Sequence, residues 1–193
     1  MPPDVRIRPY TVDDAEEVWH AATESSAELL PWMSWYHVGY HIRETRSWLE
    51  MQVSAFRLGT AYEFAIVSRE GRYLGGCGLS RIDPLNRLAN LGYWVRTTAT
   101  RRGIARTAVK QVATWAYAHT DLMRLEIIAA TENLASQRVA EHAGARREGV
   151  LRSRLFVRGQ FQDAVVFSIL RSEHGHDGAS RVHEVHEEGS GRQ

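Results

Sequence analysis

The chain has 193 residues, of which 44% are hydrophobic and 24% charged, with a formal net charge of +1. Its near-neutral charge favours neither a nucleic-acid partner nor an anionic membrane surface, and no run of about 18 apolar residues suggests a membrane span. Its single cysteine excludes an internal disulfide framework. We therefore expect a cytoplasmic protein with one folded domain over residues 1–172.

Residue periodicity predicts a strand, two helices and three further strands in the first half. Val5–Arg8 alternates like a strand, and Thr11 followed by Asp14 has the capping-box pattern that begins a helix. A second helix is predicted over residues 40–57, with Gly59 as its end. Three antiparallel strands are then predicted over residues 62–68, 73–82 and 89–95.

The segment after the third of these strands, residues 100–106, combines arginines with a glycine at the start of a helix. Apolar residues from Ala105 to Ala116 recur at helical spacing, so the N–H groups of this segment lie where the helix dipole favours phosphate. Gly103 has no Cβ, which lets a phosphate approach the main chain. The segment lacks the signatures of nucleoside triphosphate and dinucleotide loops. It predicts a pyrophosphate site without a metal, and we call it the anion loop.

A strand over residues 123–130, a helix from Asn133 to a left-handed cap at Gly144, and two strands over 152–157 and 164–171 complete the pattern. In an open α/β sheet, ligands bind at the carboxyl ends of parallel strands where neighbouring connections diverge. Here that position lies between the strand ends near residues 95 and 130. Gly92 in the first of these strands is compatible with a β-bulge or with close packing.

Residues 173–193 differ in composition from the rest of the chain. Four histidines with neighbouring carboxylates would bind zinc or nickel weakly, but their spacing matches no closed metal site. These are His174, His176, His183 and His186. Apolar residues that would anchor the segment are nearly absent, so we expect a disordered tail and no metal cofactor.

Two motifs, in order, resemble those of the GNAT acetyltransferase superfamily, and within it the RimJ/RimL-like N-terminal acetyltransferases. The anion loop, Thr100-Arg101-Arg102-Gly103-Ile104-Ala105, resembles the pyrophosphate loop of these acetyl-CoA enzymes. The block from Asn133 through Ser136 and Gly144 to Gly149 resembles their following helix and its exit. With Leu29–Trp35, Gly75–Leu79 and Gly92–Val95 also in order, the resemblance covers residues 5–171.

The resemblance implies an α/β (α+β) fold with a mixed, mostly antiparallel sheet of about seven strands flanked by about four helices. Two parallel strands in that sheet splay apart and hold acetyl-CoA, the co-substrate, in the gap. The implied reaction is attack of a neutral amine on the thioester, which needs a donor for the oxyanion and a proton for the leaving thiolate.

The resemblance places the cofactor contacts on the strand before the anion loop, on the loop itself and on the helix that starts after Asn133. The residues are Trp94, Val95, Arg96, Arg101, Arg102, Gly103, Ile104, Ala105, Arg106, Asn133 and Ser136. Arginine suits phosphate recognition, but each loop arginine is alternatively a solvated charge. Asn133 is alternatively only a helix N-cap.

For catalysis, the resemblance makes Ser136 the candidate acid towards the thiolate and places the Tyr93 strand backbone near the acetyl group. Leu155 stands where some relatives carry a glutamate proposed as general base. Glu126 and water chains remain as base candidates, and direct attack with weak assistance is an alternative. Trp32, Trp35 and Tyr36 resemble acceptor-side aromatics, or alternatively fill the core.

The leading expectation is acetylation of a protein N-terminal α-amine, such as that of a ribosomal protein, by a monomer or homodimer. An α-amine, with a pKa of about 7.7–8.0, is neutral far more often than lysine near 10.4. One alternative acceptor is a small amine: an antibiotic, a polyamine or an amino-acid derivative. A different class of function is a non-catalytic acyl-CoA-binding regulator.

Overall fold

The computed structural model describes residues 3–174. Its strands are β1 (Val5–Pro9), β2 (Tyr62–Ser68), β3 (Tyr73–Asp83), β4 (Leu88–Val95), β5 (Arg124–Ala130), β6 (Arg146–Val157) and β7 (Gln160–Leu170). Its α-helices are α1 (Ala15–Glu24), α2 (Ser26–Leu29), α3 (Ile42–Leu58), α4 (Ile104–His119) and α5 (Leu134–His142). Single turns of 3₁₀-helix cover Val12–Asp14 and Thr97–Ala99. The predictions for residues 175–193, including three of the four tail histidines, lie outside the described residues.

All seven described strands form one sheet in the order β1-β2-β3-β4-β5-β7-β6. Neighbouring strands are antiparallel except β4 and β5, which are parallel. This confirms the predicted mixed, mostly antiparallel sheet.

The parallel pair is short. Its register contains three residue pairs, from Leu88 opposite Arg124 to Asn90 opposite Glu126. Both strands then continue, β4 to Val95 and β5 to Ala130, without further pairing between them in the described structure. The two strands therefore splay apart at their carboxyl ends, as predicted.

Helices cover both faces of the sheet. The side chains of β2 alternate between these faces, which shows which of its residues face which helices. Phe64 and Ile66 join the core cluster that contains the apolar stripe of α4, whereas Ala65 and Val67 join the cluster formed with α1 and α3. Because side chains alternate between the faces of a strand, Glu63 lies on the α1/α3 face. That face carries the cavity described below.

Several local predictions are confirmed at the residue level. The Thr11–Asp14 capping box is present, and α3 ends at Gly59 in the left-handed conformation, with φ +73°. Gly144 follows the end of α5 with φ +94°. In the β6–β7 hairpin, both Arg158 and Gly159 have positive φ, as expected for a tight two-residue turn.

Other boundaries differ from prediction. The short helix α2 was not predicted, β7 begins at residue 160 rather than 164, and β6 begins at residue 146 rather than 152. The charged start of β6 is exposed at the sheet edge, so it lacks the apolar alternation that marks a half-buried strand. Of the two alternatives for Gly92, a bulge towards β3 is absent, because β4 pairs with β3 without a shift from Val95 to Asn90.

Candidate active site

A cavity of about 530 Å³ lies on the α1/α3 face and extends to the gap between β4 and β5. Among the predicted site residues, its lining includes Trp32, Trp35, Tyr93, Trp94, Asn133, Ser136 and Leu155. The cavity therefore brings together the residues predicted for acceptor binding, the strand before the anion loop and the start of α5. We call it the aromatic cavity.

The anion loop lies at the carboxyl end of β4 and exposes consecutive main-chain donors. Gly103 is the N-cap of α4 and has φ +75°, while Arg101 has φ +61°. Because Gly103 caps α4, the N–H groups of the first turn of this helix have no intrahelical acceptor. Free N–H groups at a helix N-terminus suit an anionic oxygen ligand.

The loop side chains have different environments. Ile104 is 4% exposed and belongs to the core, so its side chain anchors the loop and only its main chain can face a ligand. Arg101, Arg102 and Arg106 are exposed. The Arg106 guanidinium lies 3.7 Å from the position that a Cβ on Gly103 would occupy. These three arginines supply positive charge around the main-chain donors.

Arg96 lies at the start of this segment but has other partners. Its guanidinium pairs with Glu24 of α1 and donates to the Tyr73 carbonyl at 3.2 Å. Glu24 also accepts from the Thr98 hydroxyl at 2.8 Å. Hydrogen bonding from Arg96 lowers the pKa of Glu24 to about 2. The Arg96 side chain therefore ties the segment to α1, which does not support the predicted direct cofactor contact.

Asn133, Ser136 and Tyr93 meet at the start of α5. The Asn133 Oδ1 accepts from the Ser136 N–H at 3.0 Å, so Asn133 is an N-cap as well as a cavity residue. The Tyr93 hydroxyl donates to the Ser136 carbonyl at 2.8 Å and lies 3.0 Å from the Ser136 Oγ. Burial raises the pKa of the Tyr93 phenol, so the hydroxyl keeps its proton at neutral pH.

Glycines form the floor of the aromatic cavity. In the sheet register, Glu63 of β2 lies opposite Gly78 of β3, which in turn lies opposite Gly92 of β4. The position of a Cβ on Gly78 would be 2.2 Å from the Glu63 Oε2, so the carboxylate lies directly over this glycine. A Cβ on Gly92 would meet only the Asn90 Nδ2, at 3.9 Å. The floor between the carboxylate and β4 is therefore open.

Glu63 differs from Glu24, Glu44 and Glu126, each of which forms an ion pair. It accepts no hydrogen bond and forms no ion pair within residues 3–174, and burial raises its pKa to about 7. Glu44, which also lines the cavity, accepts from the His41 N–H at 2.8 Å and pairs with His37 at 2.9 Å. These partners lower the pKa of Glu44.

The walls of the cavity are aromatic. The rings of Trp35 and Trp94 lie 6.0 Å apart, and the Trp94 indole nitrogen and the Tyr10 hydroxyl both lie over Gly76. The Trp94 side chain thus faces the cavity rather than the anion loop. Tyr36 does not line the cavity; it is 7% exposed and packs with Ala22 and Leu29. Its position supports the alternative of a core residue.

The positions predicted from the sequence for a general base are less suitable for that role than the position of Glu63. Glu126 is held by Arg124 at 2.8 Å and is not part of the cavity lining. Leu155 lines the cavity but cannot exchange a proton. Glu63 was not predicted, although one signal was present: it shares a strand face with the buried Ala65 and Val67. A carboxylate on the buried face of an interior strand is costly unless it has a role.

Within residues 3–174, no three His, Cys, Asp or Glu side chains are grouped so as to hold a metal ion. No helix in this part of the chain is long and apolar enough to cross a membrane.

A splayed parallel strand pair, with the anion loop at its end and a cavity beside it, is the arrangement that the resemblance to acetyltransferases implies. The chain belongs to the acetyltransferase (GNAT) family, because the model of the Acetyltransferase (GNAT) domain matches residues 4–146. It is therefore an enzyme that transfers an acetyl group, and the resemblance of its motifs to this family is confirmed.

Individual relatives agree with this assignment. The chain is 35% identical to YdaF of Bacillus subtilis over 104 residues, which cover 54% of this chain and 57% of YdaF. The ribosomal-protein-S5-alanine acetyltransferase of Vibrio fischeri has the same fold, with a TM-score of 0.81 over 90% of this chain and 97% of that one, at 20% identity. The structure of RimJ of Mycobacterium smegmatis in complex with CoA-disulfide gives a TM-score of 0.77 over 88% of this chain and 83% of RimJ, at 27% sequence identity.

Proposed function

We propose that the protein transfers the acetyl group of acetyl-CoA to the N-terminal α-amine of a protein. The observation that carries this proposal is the continuity of the aromatic cavity with the gap between β4 and β5. A thioester lying in that gap would be open to an amine entering from the cavity. The relative from V. fischeri is named for an alanine of ribosomal protein S5, which supports an acceptor of this type.

The cofactor part of the proposal is supported by the chemistry of the donors. Main-chain N–H groups of the anion loop bind the pyrophosphate, and Arg101, Arg102 and Arg106 neutralise its charge. Unpaired main-chain groups of β4 beyond Asn90 pair with the extended pantetheine arm, as a further strand would. Asn133, which lines the cavity, contacts the same arm.

The reaction needs two further functions at the acetyl group. A main-chain N–H of the segment Tyr93–Val95 stabilises the oxyanion. The hydroxyls of Ser136 and Tyr93, 3.0 Å apart, deliver the proton that the departing thiolate takes up. Both hydroxyls are neutral at physiological pH, because burial raises the pKa of Tyr93 and a serine hydroxyl does not ionise in this range.

The proposal is tested by thiol release from acetyl-CoA with matched acceptors. Peptides that begin with Ala or Ser are compared with the same peptides blocked at the N-terminus and carrying an internal lysine. We expect turnover with the free peptides alone. Faster turnover with spermidine or an aminoglycoside would move the acceptor to small amines. Calorimetric binding of acetyl-CoA without turnover on any amine would contradict the enzymatic proposal and favour a binding regulator.

A further inference from the structure

We propose that Glu63 receives the ammonium group of the acceptor in the aromatic cavity and removes its proton before attack on the thioester. This inference rests on the proposed function, because it concerns the acceptor amine of that reaction. It gives the protein a general base on β2, two strands away from the cofactor gap.

The carboxylate of Glu63 lies in line with two glycines across the sheet. Glu63, Gly78 and Gly92 are consecutive partners across β2, β3 and β4, and the Glu63 Oε2 lies over Gly78. Adjacent strands are about 4.8 Å apart, so the carboxylate lies about one strand spacing from Gly92. An amine that hydrogen-bonds to a carboxylate at about 2.6–3.2 Å fits within this distance.

No side chain blocks the path from Glu63 to β4 at Gly78 or Gly92. Gly92 is exposed, and the nearest atom to a Cβ placed on it would be the Asn90 Nδ2. Any side chain at Gly78 would collide with the Glu63 carboxylate and with its Cα, at 2.7 Å. The two glycines keep the floor clear from the carboxylate to the strand that borders the acetyl site.

The charge of Glu63 is not balanced by the protein. Glu63 lines the cavity and has no cationic partner within residues 3–174. The cavity walls include the aromatic side chains of Tyr10, Trp35, Tyr40, Trp48 and Trp94. A carboxylate among aromatic rings favours a cation, because ring faces attract positive charge. The ligand that fits is a primary ammonium group.

The proton and electron balance is complete. The ammonium N–H bond breaks and its proton bonds to a Glu63 oxygen, which frees the nitrogen lone pair. The nitrogen forms the C–N bond while the carbonyl electrons move to oxygen; their return breaks the C–S bond. The thiolate takes a proton that originates on the same nitrogen, relayed by the Ser136 and Tyr93 hydroxyls. Glu63 releases its proton to solvent, and no redox change occurs.

The titratable groups around Glu63 leave it as the group that changes charge near neutral pH. On its own face of the sheet, the nearby groups are Tyr10, Tyr40, Glu44 and Tyr73, and Arg81 also lines the cavity. Cys77 and Tyr93 lie on the opposite face. The pKa values of these tyrosines and of Cys77 are raised by burial, and that of Glu44 is lowered by His37. Only the pKa of Glu63 moves to about 7.

The kinetic test compares the full-length wild type with Glu63→Gln, using a peptide with an N-terminal alanine and acetyl-CoA. At pH 7, we expect kcat/KM of Glu63→Gln to fall by about 10²-fold. This deficit narrows at pH values above about 7.7–8.0, where the α-amine is already neutral. Glu50→Gln, an equivalent change on the exposed face of α3, keeps wild-type kinetics. A deficit independent of pH, or none, would overturn the assignment.

A second measurement does not depend on turnover. A carboxyl whose pKa is raised by folding destabilises the protein as pH rises from its unfolded pKa, about 4.3, to its folded pKa. The melting temperature of Glu63→Gln should therefore exceed that of the wild type by an amount that grows between pH 5 and pH 7 and is then constant. A difference that does not change with pH would place the carboxylate in water and contradict the proposal.

The two proposals can fail separately. If the wild type acetylates no amine, the proposed function fails whatever the melting temperatures show. If the wild type acetylates the peptide and Glu63→Gln does so equally well, the base assignment alone fails. Gly92→Ala adds a steric test, because its methyl group projects into open floor without disturbing the fold. We expect this substitution to raise the KM for the peptide about tenfold or more. An unchanged KM would contradict the proposed path of the amine between Glu63 and β4.

Discussion

The anion loop and the aromatic cavity border the same strand, yet they offer ligands opposite kinds of groups. The loop presents main-chain N–H groups at the start of a helix, whereas the cavity presents side chains from many elements, among them Glu63 of β2, Trp94 of β4 and Ser136 of α5. Main-chain donors remain after most substitutions, since every residue except proline carries one. Side-chain groups are lost with one substitution. Binding at the loop should therefore depend on backbone conformation, and chemistry in the cavity on individual residues.

The largest expected effect tests whether binding at the anion loop depends on backbone conformation. Gly103→Val places a β-branched side chain at φ +75°, a region that such residues avoid, and so displaces the N–H groups of the loop. Lost hydrogen bonds to a charged group cost about 1.5–3 kcal/mol each, which predicts at least a tenfold, and up to about 10²-fold, weaker binding of acetyl-CoA by calorimetry.

The controls separate conformation from charge. Gly71→Val introduces comparable strain at φ +87° in the β2–β3 turn and should weaken folding but not cofactor binding. Arg102→Ala removes an exposed charge, for which we expect a loss of only a few-fold, decreasing with added salt. If Arg102→Ala weakened binding more than Gly103→Val does, the loop would bind through its side chains.

An effect of intermediate size tests whether chemistry in the cavity depends on individual side chains. Ser136→Ala removes one of the two hydroxyls proposed to protonate the thiolate and should lower kcat by about 10²-fold or less, with little change in acetyl-CoA affinity. Tyr93→Phe should act in the same direction, because the Tyr93 hydroxyl is 3.0 Å from the Ser136 Oγ. The double variant should lose less than the product of the single losses if the two form one relay. Unchanged turnover in all three, with chemistry rate-limiting, would remove both from catalysis.

The smallest effect concerns how the segment before the loop is held. Glu24→Gln weakens the pairing with Arg96 and the bond from Thr98, so we expect a melting temperature a few degrees lower at pH 7. Because Arg96 lowers the pKa of Glu24 to about 2, this stabilisation is present above about pH 4.3 and is lost as pH falls towards 2. The two proteins should thus converge in stability at low pH. Equal melting temperatures at pH 7 would show that the pair contributes nothing there.

The same contrast explains which parts of the candidate site could be predicted from the sequence. The anion loop is contiguous, so Gly103 and the helix after it were visible in one stretch of chain. The cavity depends on the register that brings Glu63, Gly78 and Gly92 into line, and strand register is set by contacts among distant residues. Glu63 was therefore missed. The packing of Tyr36 and the pairing of Arg96 with Glu24 were missed for the same reason.

The short parallel pairing between β4 and β5 has a consequence for how long the folded protein persists. Only three residue pairs join these strands in the described structure, so the halves of the sheet on either side share few hydrogen bonds there. A coenzyme that bridges the gap adds bonds to both halves, and ligand binding stabilises a fold by about 2.7 kcal/mol at a concentration 100 times its Kd. Resistance of this enzyme to heat and proteolysis would then rise and fall with the supply of its own coenzyme.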